Sequence, residues 1–346
     1  MRNKSLLLFA LIILAAASLY SAAGNGPVYW SPVASPPDCT ALGGESPVAI
    51  TDSSGATLGY SCYVSGTFVW LAAGGGWGSS IRVAAPASAA IGVDYSFYDA
   101  SGNDLKLDTT SGGGASTSSG NEVNFALSAD QPAEVDLLGA TSGAPGYGAT
   151  ATGSVYAVFY CPDETTCGNV LPQLLYSALP TTPWSLSVPI AWDTALWTQW
   201  SAEGIDDGGA NRISLAIYNE DITAASYTVS VYDSTGSLAG TGTTPTLPPL
   251  QSFADGSYGE GGTYGTLLSD LVPASLPSGI FKILIDGGTK YSAVEVLQFS
   301  GPAATALQVA YDTTPGASPG AAALRRPNLR RARASGPKPA FRALAK

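Results

Sequence analysis

"YSFYDASGNDL", Tyr95 to Leu105, decides how this chain reads, because it recurs as "VSVYDSTGSLA", Val229 to Ala239. Each copy is an alternating apolar strand ending in Tyr-Asp, then an Asp-x-x-Gly turn, then the start of a second strand. In such a turn the Asp carboxylate satisfies the turn's own amides, and Gly supplies the positive φ that closes the hairpin. Asp99 and Asp233 are therefore expected in structural turns.

The likeness spreads outward from these hairpins. Upstream, "SSIRVAA" (Ser79 to Ala85) matches "NRISLAI" (Asn211 to Ile217); downstream, "TGSVYAVFY" (Thr152 to Tyr160) matches "PSGIFKILID" (Pro277 to Asp286). Both halves close on a similar phrase, "VPIAWDT" (Val188 to Thr194) and "LQVAYDT" (Leu307 to Thr313). Four matched elements in one order make the chain two divergent copies of one all-β unit. Strands are expected near Ala49, Tyr60, Val69, Ile81, Tyr95, Val123, Val135, Val155, Leu174 and Leu186. In the second copy they fall near Ile213, Val229, Leu267, Phe281, Val294 and Val309. Many short strands between Gly, Pro, Ser and Asn clusters point to an antiparallel sandwich in each copy.

Composition agrees. There are 41 glycines and 24 prolines, one Met, and 12% charged residues, a balance that suits strands and tight turns rather than helices. "TTSGGGASTSSGN" and "SFADGSYGEGGTYG" are too polar and glycine-rich to pack, and are expected as long exposed loops.

The pattern "GGGWGSSIRVAAP" and "YSFYDASG", with the later "YNEDITAASYTVSVYDSTGSLAGTGTTPTLPP" and "LPSGIFKILID", resembles tandem immunoglobulin-like sandwich repeats of proteins exported by soil bacteria. Trp77, Asp99, Gly102, Asp233, Gly236, Leu247, Pro248, Pro249, Leu276, Pro277 and Gly279 occupy the repeat's characteristic positions. The resemblance implies an all-β fold of two tandem antiparallel immunoglobulin-like β-sandwich domains. It brings no catalytic residues with it. Expected boundaries are 1–23 for a signal peptide, 24–190 for an N-terminal segment plus first sandwich, 191–313 for the second, and 314–346 for a disordered basic tail.

The signal peptide rests on Arg2 and Lys4, the apolar "SLLLFALIILAAASLY" and the small residues Ser21-Ala22-Ala23. The apolar run falls short of the roughly 20 residues that cross a bilayer. No transmembrane segment is expected after cleavage, and a secreted or cell-surface location (periplasm or extracellular) follows. In an oxidising compartment the four cysteines read as two structural disulfides, Cys161 with Cys167 across "PDETT" and Cys39 with Cys62. A metal site is the weaker reading, since the chain has no His and no Cys-x-x-Cys.

All 26 acidic residues lie between Asp38 and Asp312, where only five basic residues accompany them. Beyond Asp312 stand eight bases and no acid. So acidic a body repels nucleic acid and anionic membranes. The tail could dock on that body or on an anionic envelope. It lacks strand alternation and is expected to be disordered.

With no histidine, Ser-His-Asp and Cys-His chemistry is impossible. "GEGGTYG" (Gly259 to Gly265) lacks the strand-to-helix context of a nucleotide loop. Carboxylate-pair glycoside hydrolysis survives, with Glu203 and Asp206 or Asp207, or Glu220 and Asp221, as acids. Scattered acids make such pairs by chance, so no catalytic residues are assigned. Calcium could use the oxygens of "DASGND" or "EGIDDGGAN", but neither follows a calcium-loop pattern, and no cofactor is expected.

The remaining candidate is "WDTALWTQWSAEGIDDGG", Trp192 to Gly209. A short helix is expected here, with Asp193 as N-cap and Gly204 as stop, placing Trp197 and Trp200 on one face. The rings then fill a joint between domains, the preferred reading, or stack on sugars, with Trp192, Trp197, Trp200 and Asp207 as the ligand-binding set. The sequence thus points to a non-catalytic exported surface, matrix or adhesion protein. Its expected partners are extracellular polysaccharide or another cell-surface protein. The alternatives are a carbohydrate-binding module using the Trp-rich stretch and, behind it, a carboxylate-dependent glycoside hydrolase.

Overall fold

The computed structural model describes residues 32–40, 47–51, 56–75, 77–111, 117–140, 150–178, 185–193, 196–252, 258–273, 275–301, 303–307 and 309–311. The expected signal peptide, Trp184 and the basic tail lie outside them.

The first half contributes β1 (Val48–Thr51), β2 (Thr57–Ala73), β3 (Trp77–Ala84), β4 (Ile91–Asp99), β5 (Leu107–Ser111) and β6 (Thr117–Gly120). It continues with β7 (Glu122–Leu127), β8 (Pro132–Ala140), β9 (Ala151–Cys161), β10 (Gln173–Ala178), β11 (Ser185–Pro189) and β12 (Ala191–Trp192). One sheet runs β1-β2-β9-β4-β7, with β12 also on β2; the other runs β11-β10-β3-β8-β5-β6. The second half contributes β13 (Gln199–Gly204), β14 (Asn211–Asn219), β15 (Thr228–Tyr232), β16 (Leu238–Thr243), β17 (Gln251–Ser252) and β18 (Tyr258–Gly259). After them come β19 (Thr263–Leu267), β20 (Phe281–Asp286), β21 (Ser292–Ser300), β22 (Ala303–Ala306) and β23 (Ala310–Tyr311). Its sheets run β16-β15-β20-β13-β23 and β19-β14-β21-β22, beside a small β17-β18 ribbon.

The protein is all-β with antiparallel sheets, stacked sandwich-like and not closed into a barrel. Strict alternation causes the stacking. On β4, Ile91, Val93, Tyr95 and Phe97 are fully buried, while Asp94 and Ser96 point the other way. They meet Ile81, Val83, Val135, Leu137 and Leu174 of the facing sheet in one core. A second core joins Ile213, Leu215 and Ile217 of β14 to Val229, Val231, Ile283 and Ile285 of β15 and β20. Each such side chain contributes about 1.5–3 kcal/mol by leaving water.

The two Asp-x-x-Gly turns are built alike. Asp99 accepts from the amides of Ser101 at 2.8 Å and Asn103 at 3.0 Å, with Gly102 at φ 79°. Asp233 accepts from Thr235 at 2.8 Å and Ser237 at 2.9 Å, with Gly236 at φ 82°. Both disulfides are formed, Cys39–Cys62 and Cys161–Cys167.

Two stretches differ from expectation in their secondary structure. Part of "TTSGGGASTSSGN" is hairpin: Leu107 pairs with Gly120 and Thr110 with Thr117. Its Thr and Ser residues supply strand propensity that its glycines obscure. Residues 199–204 form β13 instead of a helix, because the period there is two. Trp200, Ala202 and Gly204 turn inward, while Gln199, Ser201 and Glu203 turn out, and pairing with β20 takes the backbone hydrogen bonds.

Candidate functional site

The Trp-rich stretch carries the chain from one core to the other. β12 crosses β2 at Gly66, where a Cβ would lie 2.5 Å from the Ala191 carbonyl oxygen, so the crossing requires glycine. Trp192 packs onto the first core, its ring edge-on to Phe159 with centroids 6.0 Å apart. Asp193 is buried and anchors the exit, accepting from Ser65 Oγ at 2.7 Å and Tyr156 Oη at 3.2 Å. Trp197 is half-buried and its carbonyl accepts from the Ser292 amide. Trp200 packs against the second core, and its Nε1 donates to the Ser292 carbonyl at 3.0 Å.

Trp192 and Trp200 therefore stand on two different cores. Asp207 is exposed, and its carboxylate accepts from the Gly209 amide at 2.8 Å and from the Asn211 amide and side chain at 3.0 and 2.8 Å. The Asn211 side chain and these amides hold its pKa below the usual carboxylate value. Asp206 points inward, takes the Ile213 amide at 2.9 Å and faces Arg212 at 3.5 Å. Glu203 lies on the outer face of β13. These three acids are turned to three different environments and do not share a cleft. The second acid pair also divides its duties: Asp221 accepts from Thr223 and lies 3.6 Å from Lys290, and Glu220 is buried.

What the stretch leaves open, the opposite side of β13 offers. Tyr232, Lys282 and Glu203 stand in one cross-strand row over β15, β20 and β13. They line a shallow groove of about 590 Å³ together with Asp233, Leu284 and Ile280. Ile280 is 61% exposed there. Aromatic, ammonium and carboxylate groups side by side can receive a polyhydroxylated ring by stacking and hydrogen bonding.

The other built feature is the joint between the two sheet pairs, which carries the residues that sequence reasoning missed. The outer face of β14 and β21 packs against the end of β2: Ala216, Tyr218 and Ala293 meet Val69 and Trp70. Gly265 seats Trp70 so closely that a Cβ there would lie 2.8–2.9 Å from the ring. The Asp99 hairpin docks on the 260–263 segment, with Thr263 N–H donating to Ala100 O at 3.1 Å and Glu260 N–H to Gly102 O at 3.2 Å. Thr263 Oγ1 donates to Val69 O at 2.8 Å. Tyr218 Oη donates to the buried Glu260. Gly261, Gly262 and Gly265 of "GEGGTYG" are thus close-approach glycines; part of a stretch expected as an exposed loop is buried here, because small residues let two backbones meet.

No protein-family model, curated protein or solved structure matches the chain. Among the described residues no group of three metal-ligating side chains gathers, and no helix is long and apolar enough to cross a membrane. The oxygens of Asp99 and Asp207 are taken by their own turn amides.

Proposed function

We propose that this chain is a non-catalytic exported protein acting as a surface, matrix or adhesion module, built from two copies of one immunoglobulin-like sandwich. The joint carries this reading. Main-chain hydrogen bonds from Thr263 and Glu260 to the Asp99 hairpin fix one sheet pair on the other, as a load-bearing or presenting rod requires. The strand orders support a duplicated unit: β2-β9-β4 in one half corresponds to β13-β20-β15 in the other, with β12 and β23 on equivalent strands. Two disulfides are compatible with an oxidising compartment.

Fractionation of the native host, with alkylation and intact mass of the recovered protein, tests the reading. Export predicts a chain lacking residues 1–23, with no alkylatable thiol and accessible to protease on intact cells. A full-length, reduced cytosolic chain would overturn it. Loss of surface attachment on deletion tests the adhesive role.

A second reading, carbohydrate recognition, is favoured by the Tyr232–Lys282–Glu203 row. Titration with a polysaccharide panel should then give binding that Tyr232→Ala abolishes. Binding that survives this change, or none to any glycan, removes that reading.

A further inference from the structure

The two disulfides are neighbours, and they meet through a residue pair that neither of them uses. In the β2–β9 ladder Cys62 lies directly opposite Cys161. Tyr63 and Tyr160, the next opposed pair, belong to a cluster on the outer face, whereas Cys62, Val64, Phe159 and Cys161 belong to the inner core. Alternation therefore turns both cysteine side chains into the sandwich from opposed positions. Opposed residues of an antiparallel pair have Cα atoms about 4.5 or 5.5 Å apart, and a disulfide spans about 4.4–6.8 Å. The bridges already formed span 5.6 and 5.4 Å. A Cys62–Cys161 bridge thus fits the ladder in its present register.

The present partners come from outside that ladder, and other bonds hold each of them as well. Cys39 follows Val33, which exchanges two main-chain hydrogen bonds of 2.9 and 2.8 Å with Tyr60. Cys167 lies in the short helix Glu164–Gly168, which rests on both β2 and β9. Asp163 caps this helix, accepting from the Thr166 amide at 2.8 Å and hydroxyl at 2.9 Å. Loss of either bridge leaves its segment tethered. All four cysteines are buried in one core, but Asp38 and Thr40 on either side of Cys39 are exposed. A terminal segment held by few hydrogen bonds opens more readily than strands paired in a sheet, so Cys39 is the sulfur that a reagent reaches first.

We propose that the four cysteines form a thiol-transfer site, at which Cys39 takes up an external small-molecule thiol as a mixed disulfide. The incoming thiolate attacks Cys39 Sγ and forms a new S–S bond. The Cys39–Cys62 bond breaks, and its electron pair stays on Cys62 Sγ. Beside an isolated disulfide, Cys62 would attack back and expel the newcomer. Here it has a second target: it attacks Cys161 Sγ, forms Cys62–Cys161 and releases Cys167 as the leaving thiolate. The proton given up by the incoming thiol ends on Cys167. Two disulfides and one thiol stand on each side of the reaction, so neither oxidant nor reductant is consumed. A small thiol is the fitting class because Cys39 is only 1% exposed, which leaves no room for a protein surface.

Peptide mapping tests the transfer. The purified, folded chain is incubated with 2-mercaptoethanol, quenched with iodoacetamide and digested. The expected product carries the mercaptoethanol adduct on Cys39, the alkyl group on Cys167 and a linked Cys62–Cys161 peptide pair. An adduct on Cys39 with Cys62 alkylated and Cys161–Cys167 intact would overturn the proposal. So would adducts confined to other cysteines, or none while the chain stays folded. Cys39→Ser/Cys167→Ser tests the ladder geometry alone. With glutathione disulfide as oxidant, its two remaining cysteines should join, and the linked Cys62–Cys161 peptides should replace all alkylatable thiol. A folded double variant, with the wild-type circular dichroism, whose Cys62 and Cys161 stay unlinked would overturn it as well.

Discussion

Substituting Gly265 by Ala opposes two effects whose sum the joint decides. Gly265 lies in β19 without a positive φ, so local propensity alone favours Ala by roughly 0.5–1 kcal/mol. Against this, the new methyl meets Trp70 Cη2 at 2.8 Å and Cε3 and Cζ2 at 2.9 Å, where ordinary contact begins near 3.4 Å. Ring or strand must retreat by more than half an ångström, and overpacking of that kind costs about 1–3 kcal/mol. Packing should win, leaving Gly265→Ala destabilised by about 1–2 kcal/mol.

Trp70→Ala removes the obstacle and enlarges the adjoining cavity, at a cost of about 3 kcal/mol for a partly buried ring. In that background Gly265→Ala should cost nothing or stabilise slightly, a coupling of at least about 1 kcal/mol. Urea denaturation followed by circular dichroism gives all four corners of the cycle. A Gly265→Ala penalty that persists without the Trp70 ring would show that the ring's seat is not what the glycine serves.

The two hairpin glycines give a matched comparison. Both have positive φ, but a Cβ on Gly102 would lie 1.9 Å from Glu260 O while one on Gly236 meets nothing. Gly236→Ala should therefore cost about 1 kcal/mol, and Gly102→Ala clearly more, with loosening of the joint visible as faster exchange at Glu260. The disulfides should differ in worth. Opening Cys39–Cys62, with a separation of 23, is expected to cost about 3 kcal/mol, and opening Cys161–Cys167, with a separation of 6, about 2 kcal/mol by melting of the Cys→Ser variants. Asp206→Ala should destabilise by about 2 kcal/mol because it strands the buried Ile213 amide, while Asp207→Ala, on an exposed turn, should cost less; equal costs would contradict the assignment.

The sheets were legible in the sequence because strand burial is written with a period of two. β4, β15 and β20 carry that alternation plainly, whereas β9 and the second half of β14 are buried on both faces, and the Asp-x-x-Gly turns announce their hairpins. The tryptophans were legible as belonging to the boundary, but not their geometry. Trp197 and Trp200 sit three apart, a spacing that suits a helix face, and only β13's pairing with β20 reveals that Trp200 belongs to a strand alternating with Ser201. The joint was hidden for a different reason. Gly261, Gly262 and Gly265 look like loop composition, and nothing in a glycine says which distant backbone or ring will occupy the space it leaves.

Calorimetry of the chain near pH 6 tests the central claim, that the joint makes two sheet pairs into one mechanical unit. Coupling through Trp70, Thr263 and the Asp99 hairpin predicts a single transition whose calorimetric and van't Hoff enthalpies agree. Two separate transitions in the wild type, unmoved by Trp70→Ala, would contradict it.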